Sequence, residues 1–185
     1  MAVAGAALAA SACQQATGTL AGHHSTGRAP APAPAAPGPV AASGCHSGGT
    51  ATEPTADPHC TPGATNPQVT PATLGQTICK KGWTKTIRPP ASYTNRLKTE
   101  QMRAYGYPDT NPRDYEEDHL ISLELGGAPA DPRNLWPEPG ASPNRKDKVE
   151  NAAHAAVCAH RLPLEEAQRR IATDWVGLGH QLGAV

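Results

Sequence analysis

The sequence predicts an α+β domain that follows a long disordered N-terminal region. Within residues 116–125, His119, Ile121, Leu123 and Leu125 alternate with Leu120, Ser122 and Glu124, which is the pattern of a strand. Residues 93–104 and 145–160 repeat their apolar side chains every three to four positions, which is typical of helices that face a core. Residues 1–82 contain no Phe, Trp or Tyr. This first part of the chain therefore has few of the large apolar side chains that a folded core requires.

The N-terminal region divides into two segments. Residues 1–13, MAVAGAALAASAC, resemble the late part of a secretory signal or a loose lipoprotein signal, in which Cys13 would be lipidated. A plain alanine-rich start is the alternative interpretation. Residues 14–59 are rich in Ala, Pro and Gly, which favours a disordered tether. We therefore expect a folded domain over residues 60–185 in an exported protein, either secreted or anchored at the cell surface through Cys13.

The remaining cysteines are Cys45, Cys60, Cys79 and Cys158, and none of them forms a CxxC pair. That spacing argues against a zinc site with two cysteine pairs. In an exported protein, scattered cysteines favour disulfides instead. Cys79 and Cys158 lie in the two stretches with the clearest structural signals, so we predict that they pair. Cys45 is then either a thiol of the tail or the partner of Cys60.

The domain begins with a basic stretch. Residues 77–90, TICKKGWTKTIRPP, place β-branched residues around Lys-Gly and predict either two short strands or an extended hairpin that ends at the prolines. Residues 92–106 predict a helix that Gly106 stops. Its shared face consists of Tyr93, Leu97, Gln101 and Ala104. Residues 80–103 hold seven basic residues against Glu100 alone, which fits either a track for a phosphate backbone or a solvated face.

The second half of the domain predicts strand, turn, strand and two helices. EEDHLISLEL predicts a strand, and Gly126-Gly127 predicts a sharp turn after it because glycine accepts a positive φ. NLWPEP predicts a short second strand that prolines close. NRKDKVENAAHAAVCAH and LPLEEAQRRIATDW then have helical periodicity, with Pro163 in the first turn of the latter. We expect His154 to be a packed or solvent-facing helix residue.

Polar side chains cluster where these elements would converge, at Asp118, His119, Asn134 and Asn144. The succession DHLISLELGG, NLWPEP and NRKDK resembles the HNH endonucleases of the ββα-metal superfamily. A wider stretch, about residues 60–176, is similar to a group of exported actinobacterial HNH-like proteins. The resemblance implies a small ββα-metal core over residues 115–150 with flanking helices. It also implies metal-dependent hydrolysis of phosphodiester bonds in DNA, and because no recognition module is visible we expect low sequence specificity.

The resemblance also implies roles for individual residues. His119 would be the general base that deprotonates water, and Asp118 would bind Mg²⁺, or Mn²⁺ in its place. Asn134 would orient the base and brace the loop. Asn144 would complete the metal site from the helix, with Asp147 as its rival. The implied phosphate-binding residues are Arg145, Lys146 and Lys148.

Two other functions fit the same residues. The domain could be a catalytically silent HNH-like module that binds nucleic acid, because the helix motif matches the family pattern least well. It could also be a structural protein of the cell envelope whose disulfide-bonded domain binds a cell-wall partner. The nuclease predicts metal-dependent cleavage, the silent module predicts salt-sensitive DNA binding without cleavage, and the envelope protein predicts neither cleavage nor metal affinity.

Overall fold

The computed structural model describes residues 44–185, and these form a mixed fold of helices and two small antiparallel sheets, which confirms the α+β class. The signal-like segment 1–13 with Cys13, and the predicted tether up to residue 43, lie outside the described residues. The strands are β1 (Gly48–Thr50), β2 (Glu53–Thr55), β3 (Tyr115–His119) and β4 (Leu135–Pro139). The helices are α1 (Trp83–Ile87), α2 (Ala91–Ala104), α3 (Arg145–Cys158), α4 (Leu164–Thr173) and α5 (Trp175–Leu182). None of the helices within residues 44–185 is long and apolar enough to cross a bilayer.

The ordered part of the chain begins before the predicted boundary at residue 60. The β1–β2 hairpin lies within residues 44–59, and Cys45 is buried and joined to Cys60 by a disulfide. The indole Nε1 of Trp175 donates to the carbonyl of Pro54 over 3.0 Å. The prediction of a disordered tether is therefore wrong for residues 44–59. This segment lacks aromatic residues of its own, but aromatic residues from later parts of the chain and a disulfide hold it in place.

The basic stretch forms the short helix α1 rather than two strands. Thr86 Oγ1 donates to the carbonyl of Trp83, and Arg88 N donates to the carbonyl of Thr84. These local bonds satisfy the backbone without a partner strand, which overrides the β-propensity of Thr and Ile. The predicted helix that follows is confirmed as α2. Its Gln101 Nε2 donates to the carbonyl of Leu135 over 2.7 Å, which fixes α2 against β4.

Strands β3 and β4 pair antiparallel, with His119 opposite Leu135 and Tyr115 opposite Pro139. The second predicted strand is confirmed, but β3 ends at His119 instead of continuing to Leu125. Residues 123–125 form a 3₁₀ turn instead. The strand ends because the side chain of Asn134, rather than another strand, takes the hydrogen bonds of the Ile121 backbone.

The predicted Gly-Gly turn is confirmed, and each glycine is needed for a different reason. Gly126 has φ of 78°, a left-handed conformation that glycine adopts without a Cβ clash. Gly127 lies so close to the loop that a Cβ there would be 1.7 Å from the carbonyl oxygen of Ile121. The turn therefore returns the chain tightly past its own start and leads it to β4.

Three helices complete the fold and bury the main apolar core. Both predicted helices are confirmed as α3 and α4, but the second ends at Thr173, and an additional helix, α5, begins after Asp174. The Asp174 side chain accepts from the amide of Gly177 over 2.9 Å and caps α5. The disulfide Cys79–Cys158 is present as predicted and ties the end of α3 to the start of the basic stretch. Buried core residues of the helices include Val149, Ala153, Val157, Ile171, Trp175 and Leu178.

Candidate active site

An acidic pocket of about 150 Å³ lies between β3 and the first two turns of α3. Strand β3 contributes Asp118 and His119 from its last two positions, and helix α3 faces them across the pocket. Among the described residues that line it, Arg88 is the one permanently charged cation. The lining carboxyl groups belong to Glu116, Glu117, Asp118, Glu124, Asp147 and Glu150.

The imidazole of His119 is buried, and one of its nitrogens has a fixed partner. Nε2 lies 2.9 Å from the carbonyl oxygen of Pro129. Because a carbonyl can only accept, Nε2 carries the hydrogen and Nδ1 carries the lone pair. Burial lowers the pKa of His119 below its ordinary value near 6.5. The ring is therefore neutral at physiological pH and can accept a proton at Nδ1.

Asp118 lies beside a buried lysine. Lys146 Nζ is 2.7 Å from Asp118 Oδ2, donates to the carbonyl of His119 over 3.2 Å, and contacts Glu150 Oε1. Burial alone would lower the pKa of Lys146, but the charges of Asp118 and Glu150 outweigh it and raise the pKa. Only 2% of the lysine side chain is exposed. The predicted phosphate-binding role of Lys146 is therefore wrong, because the ammonium group is enclosed between carboxylates.

Several carboxyl groups around Asp118 hold their protons unusually tightly. Burial raises the pKa of Glu117 to about 9 and that of Glu150 to about 8. Burial and the charge of Asp118 raise the pKa of Glu138 to about 10 and that of Glu116 to about 7. Within residues 44–185, neither oxygen of Glu117 has a hydrogen-bond partner. The lining of the pocket therefore contains more carboxyl groups than positively charged groups.

Asn134 braces the loop that joins β3 to β4, the position that the family resemblance implied for it. The side chain is fully buried. Its Oδ1 accepts from the amides of Ile121 (2.9 Å) and Ala64 (3.4 Å), and its Nδ2 donates to the carbonyls of Ile121 (3.0 Å) and Ala128 (3.1 Å). Ala128 precedes Pro129, the residue that accepts from His119. Asn134 therefore acts on the imidazole through the loop and is a positioning residue.

Asp147 lines the pocket, whereas Asn144 lies at its edge, where its Nδ2 is 3.5 Å from Glu116 Oε2. Asn144 caps α3: its Oδ1 accepts from the amides of Lys146 and Asp147 over 2.8 and 3.3 Å. Asp147 Oδ2 accepts in return from the Asn144 amide over 2.6 Å, which completes a capping box. The side-chain oxygen of Asn144 is thus already engaged by the helix, whereas Asp147 lines the pocket.

The pocket residues that the sequence did not mark as functional include Glu150, Asn151 and Arg88. Glu150 and Asn151 lie three and four positions after Asp147, so they share its face of α3. The spacing of these residues in KDKVEN indicates a shared helix face when α3 is taken to begin at Arg145. Arg88 reaches the pocket from the end of α1. No local pattern marked Arg88, because the basic stretch was expected to form strands.

The other predicted phosphate ligands do not line the pocket. Arg145 forms an ion pair with Glu53 of β2, and Lys148 is exposed on α3. Arg88 of the basic stretch lines the pocket and is exposed, and Lys80, Lys81 and Lys85 of the same stretch are also exposed.

A second group of metal-ligating residue types lies further along α3. Cys79 Sγ, Cys158 Sγ and a ring nitrogen of His154 all lie within 4.8 Å of one another, and this Cys-His-Cys group could bind a metal. The two sulfurs are joined to each other in the disulfide. His154 is packed, with Nε2 at 3.0 Å from the carbonyl oxygen of Ile78, as expected for a helix histidine.

The arrangement at the acidic pocket combines three chemical features. A neutral imidazole can accept a proton, grouped carboxylates can bind a hard divalent cation, and an arginine can pair with an anion. These features adjoin a strand, strand and helix that follow one another in the chain as β3, β4 and α3. Comparisons of the chain with protein-family models, curated proteins and solved structures found no match.

Proposed function

We propose that this protein is an exported, metal-dependent endonuclease of the HNH type that hydrolyses phosphodiester bonds in DNA. One observation carries the proposal: the neutral imidazole of His119 lies next to Asp118 in a pocket lined with carboxylates. The chain order of β3, β4 and α3 is that of a ββα-metal core, which supports the same assignment.

The carboxylates fit a divalent metal ion. Their oxygens are the hard ligands that Mg²⁺ and Mn²⁺ prefer. Burial is the main cause of the raised pKa values of Glu116 and Glu150, and a bound cation would stabilise their charged forms. Asp118 from β3, with Asp147 and Glu150 from α3, would hold the ion. When bound, the ion supplies positive charge for the phosphate oxygens and for the leaving 3′ oxygen.

His119 would take the proton from the attacking water at Nδ1. The Pro129 carbonyl keeps the hydrogen on Nε2 and stabilises the charged ring once the second proton has arrived. Asn134 holds this acceptor in place through Ala128. Correct placement of such a base contributes about 10²–10⁴-fold to a rate.

The basic stretch supports a polyanionic substrate. Arg88 lines the pocket, and Lys80, Lys81 and Lys85 are exposed in the preceding segment and on α1. A nucleic-acid backbone that crosses these cations would deliver a phosphate to His119. Such contacts are made with the phosphates and not with the bases, so cleavage would have low sequence specificity. Binding to the nucleic acid, and with it cleavage, would weaken as the salt concentration increases.

Plasmid cleavage together with metal-binding calorimetry tests the proposal. We expect wild-type protein to relax and linearise plasmid DNA with Mg²⁺ or Mn²⁺. We also expect the Asp118→Ala variant to lose both cleavage and most of its metal affinity. Cleavage by the variant at the wild-type rate would contradict the role of Asp118.

A catalytically silent DNA-binding module is the second candidate. The observation that favours it is the ammonium group of Lys146, which already lies between Asp118 and Glu150 where a metal ion would need both carboxylates. This module predicts salt-sensitive DNA binding with neither cleavage nor metal affinity. A cell-envelope structural protein, in contrast, would neither bind DNA nor cleave it.

A further inference from the structure

The side chains of Cys79, His154 and Cys158 form a compact group outside the acidic pocket. The two sulfurs and a ring nitrogen lie within 4.8 Å of one another. The cysteine Cα atoms are 5.6 Å apart although 79 positions separate them in sequence. All three residues are partly exposed, so solvent, a reductant and a metal ion can reach them.

Glu124 lies beside this group and could supply a fourth ligand. Its Oε2 is 4.0 Å from Nδ1 of His154. Nε2 of the same ring faces the carbonyl oxygen of Ile78 and therefore carries the hydrogen, which leaves the lone pair on Nδ1. Two thiolates, an imidazole and a carboxylate are ligands that Zn²⁺ binds in tetrahedral geometry.

We propose that reduction of the Cys79–Cys158 disulfide converts this group into a zinc site. The ligands are Cys79, Cys158 and His154, and Glu124 occupies the fourth position. In the oxidised chain each sulfur is bonded to the other and neither is a thiolate, so this site does not form.

The electrons and protons of this conversion balance as follows. A dithiol or a phosphine reductant supplies two electrons, two protons add to the sulfurs, and the S–S bond breaks. Binding of one Zn²⁺ then releases the two thiol protons. The metal joins Cys79 to the end of α3 in place of the covalent bond, so the cross-link survives in a reducing environment. This proposal is independent of nuclease activity.

Cobalt titration of the reduced full chain tests the site, since Co²⁺ reports its ligands by absorbance. The chain is reduced with a phosphine, which does not compete as a thiol ligand, and is kept free of oxygen. We expect one equivalent of Co²⁺ to produce thiolate charge-transfer bands and tetrahedral ligand-field bands, and Zn²⁺ to displace it. The oxidised chain should show neither band.

Matched variants locate the ligands. The Cys45→Ser/Cys60→Ser double variant lacks the other disulfide and should retain the full signal when reduced. Cys158→Ser should lose half of the thiolate absorbance, and His154→Ala should lower the affinity by at least about tenfold. Asp118→Asn should leave the thiolate charge-transfer bands unchanged, because Asp118 belongs to the acidic pocket and not to this group.

Several outcomes would overturn the proposal. One is a reduced wild-type chain that forms no stoichiometric thiolate complex with Co²⁺. Another is a reduced chain whose melting temperature does not rise when Zn²⁺ is added, because the metal is proposed to replace the cross-link. Wild-type affinity in His154→Ala, or loss of the signal in Cys45→Ser/Cys60→Ser, would equally exclude the assigned ligands.

Discussion

The ring Nε2 of His119 donates a hydrogen bond to the carbonyl oxygen of Pro129 over 2.9 Å, and this contact determines the tautomer of a buried imidazole. His119 ends β3, whereas Pro129 belongs to the loop that Asn134 braces. The chemistry available at Nδ1 therefore depends on the geometry of a loop ten residues away in sequence. The loop that contains Pro129 therefore connects the bracing side chain of Asn134 to His119, the proposed general base.

The pKa of His119 should lie below the ordinary value near 6.5, because burial disfavours the charged ring. The imidazole binds its second proton more tightly in the unfolded chain. Its contribution to stability is therefore present above pH 6.5 and decreases as the pH falls through that value. A ¹H–¹³C NMR titration of metal-free protein measures the pKa, with His119→Gln to assign the signal. A midpoint above 6.5 would contradict the neutral buried base.

Lys146 should be essential for stability, although an equally charged neighbour on the same helix is not. Lys146→Met leaves the partly buried carboxylates of Asp118 and Glu150 without their cation, and breaking a buried ion pair typically costs about 3–5 kcal/mol. Lys148→Met is the matched control, because Lys148 is exposed and such changes usually stay within about 0.5 kcal/mol. Urea unfolding of both variants measures the difference. Equal stabilities would mean that the buried ion pairs are not formed as described.

Glu117 should make the fold less stable as the pH rises. Burial raises the pKa of this carboxyl from an ordinary 4.5 to about 9, so the native chain binds the proton more tightly than the unfolded chain does. The contribution of Glu117 to stability is complete below pH 4.5 and declines as the pH rises toward 9. Glu117→Gln should flatten this decline in urea unfolding between pH 5 and 9. Glu165→Gln removes an exposed carboxylate from α4 and serves as the control. An unchanged slope in Glu117→Gln would contradict the burial of a protonated carboxyl.

Gly127 should not tolerate a side chain. A Cβ at this position would meet the carbonyl oxygen of Ile121 at 1.7 Å and Asn134 Nδ2 at 2.6 Å, so Gly127→Ala must displace the braced loop. We expect a loss of roughly 3 kcal/mol or more, at the upper end of overpacking effects. Gly75→Ala is the control, because nothing lies within 4 Å of its added Cβ. Thermal unfolding compares the two variants, and similar melting temperatures would exclude the close approach.

The sequence predicted the elements whose signals are local. Helical periodicity located α2, α3 and α4, the prolines of NLWPEP bounded β4, and Gly126-Gly127 marked the turn. The errors arose where distant contacts decide the structure. Trp175 and the Cys45–Cys60 disulfide order a segment that lacks aromatic residues, and Asn134 ends β3 by taking hydrogen bonds of Ile121.

The same distinction applies to the candidate site. Adjacent residues of a strand normally point to opposite faces, so the shared position of Asp118 and His119 at one pocket was implied by the resemblance and not by their spacing. The bracing by Asn134 also followed from the resemblance. The burial of Lys146 was not predictable, because lysines are mostly exposed unless paired and its partners lie on another element or one turn ahead. Arg88 joins the pocket only through the tertiary placement of α1.

The rate of plasmid cleavage by wild-type protein and by His119→Ala tests the central claim most directly. Both proteins are assayed at saturating Mg²⁺, with circular dichroism to confirm that the variant is folded and calorimetry to confirm that it still binds metal. The account predicts that His119→Ala cleaves about 10²–10⁴-fold more slowly and that EDTA abolishes wild-type cleavage. Equal rates for the two proteins, or cleavage that persists in EDTA, would contradict it.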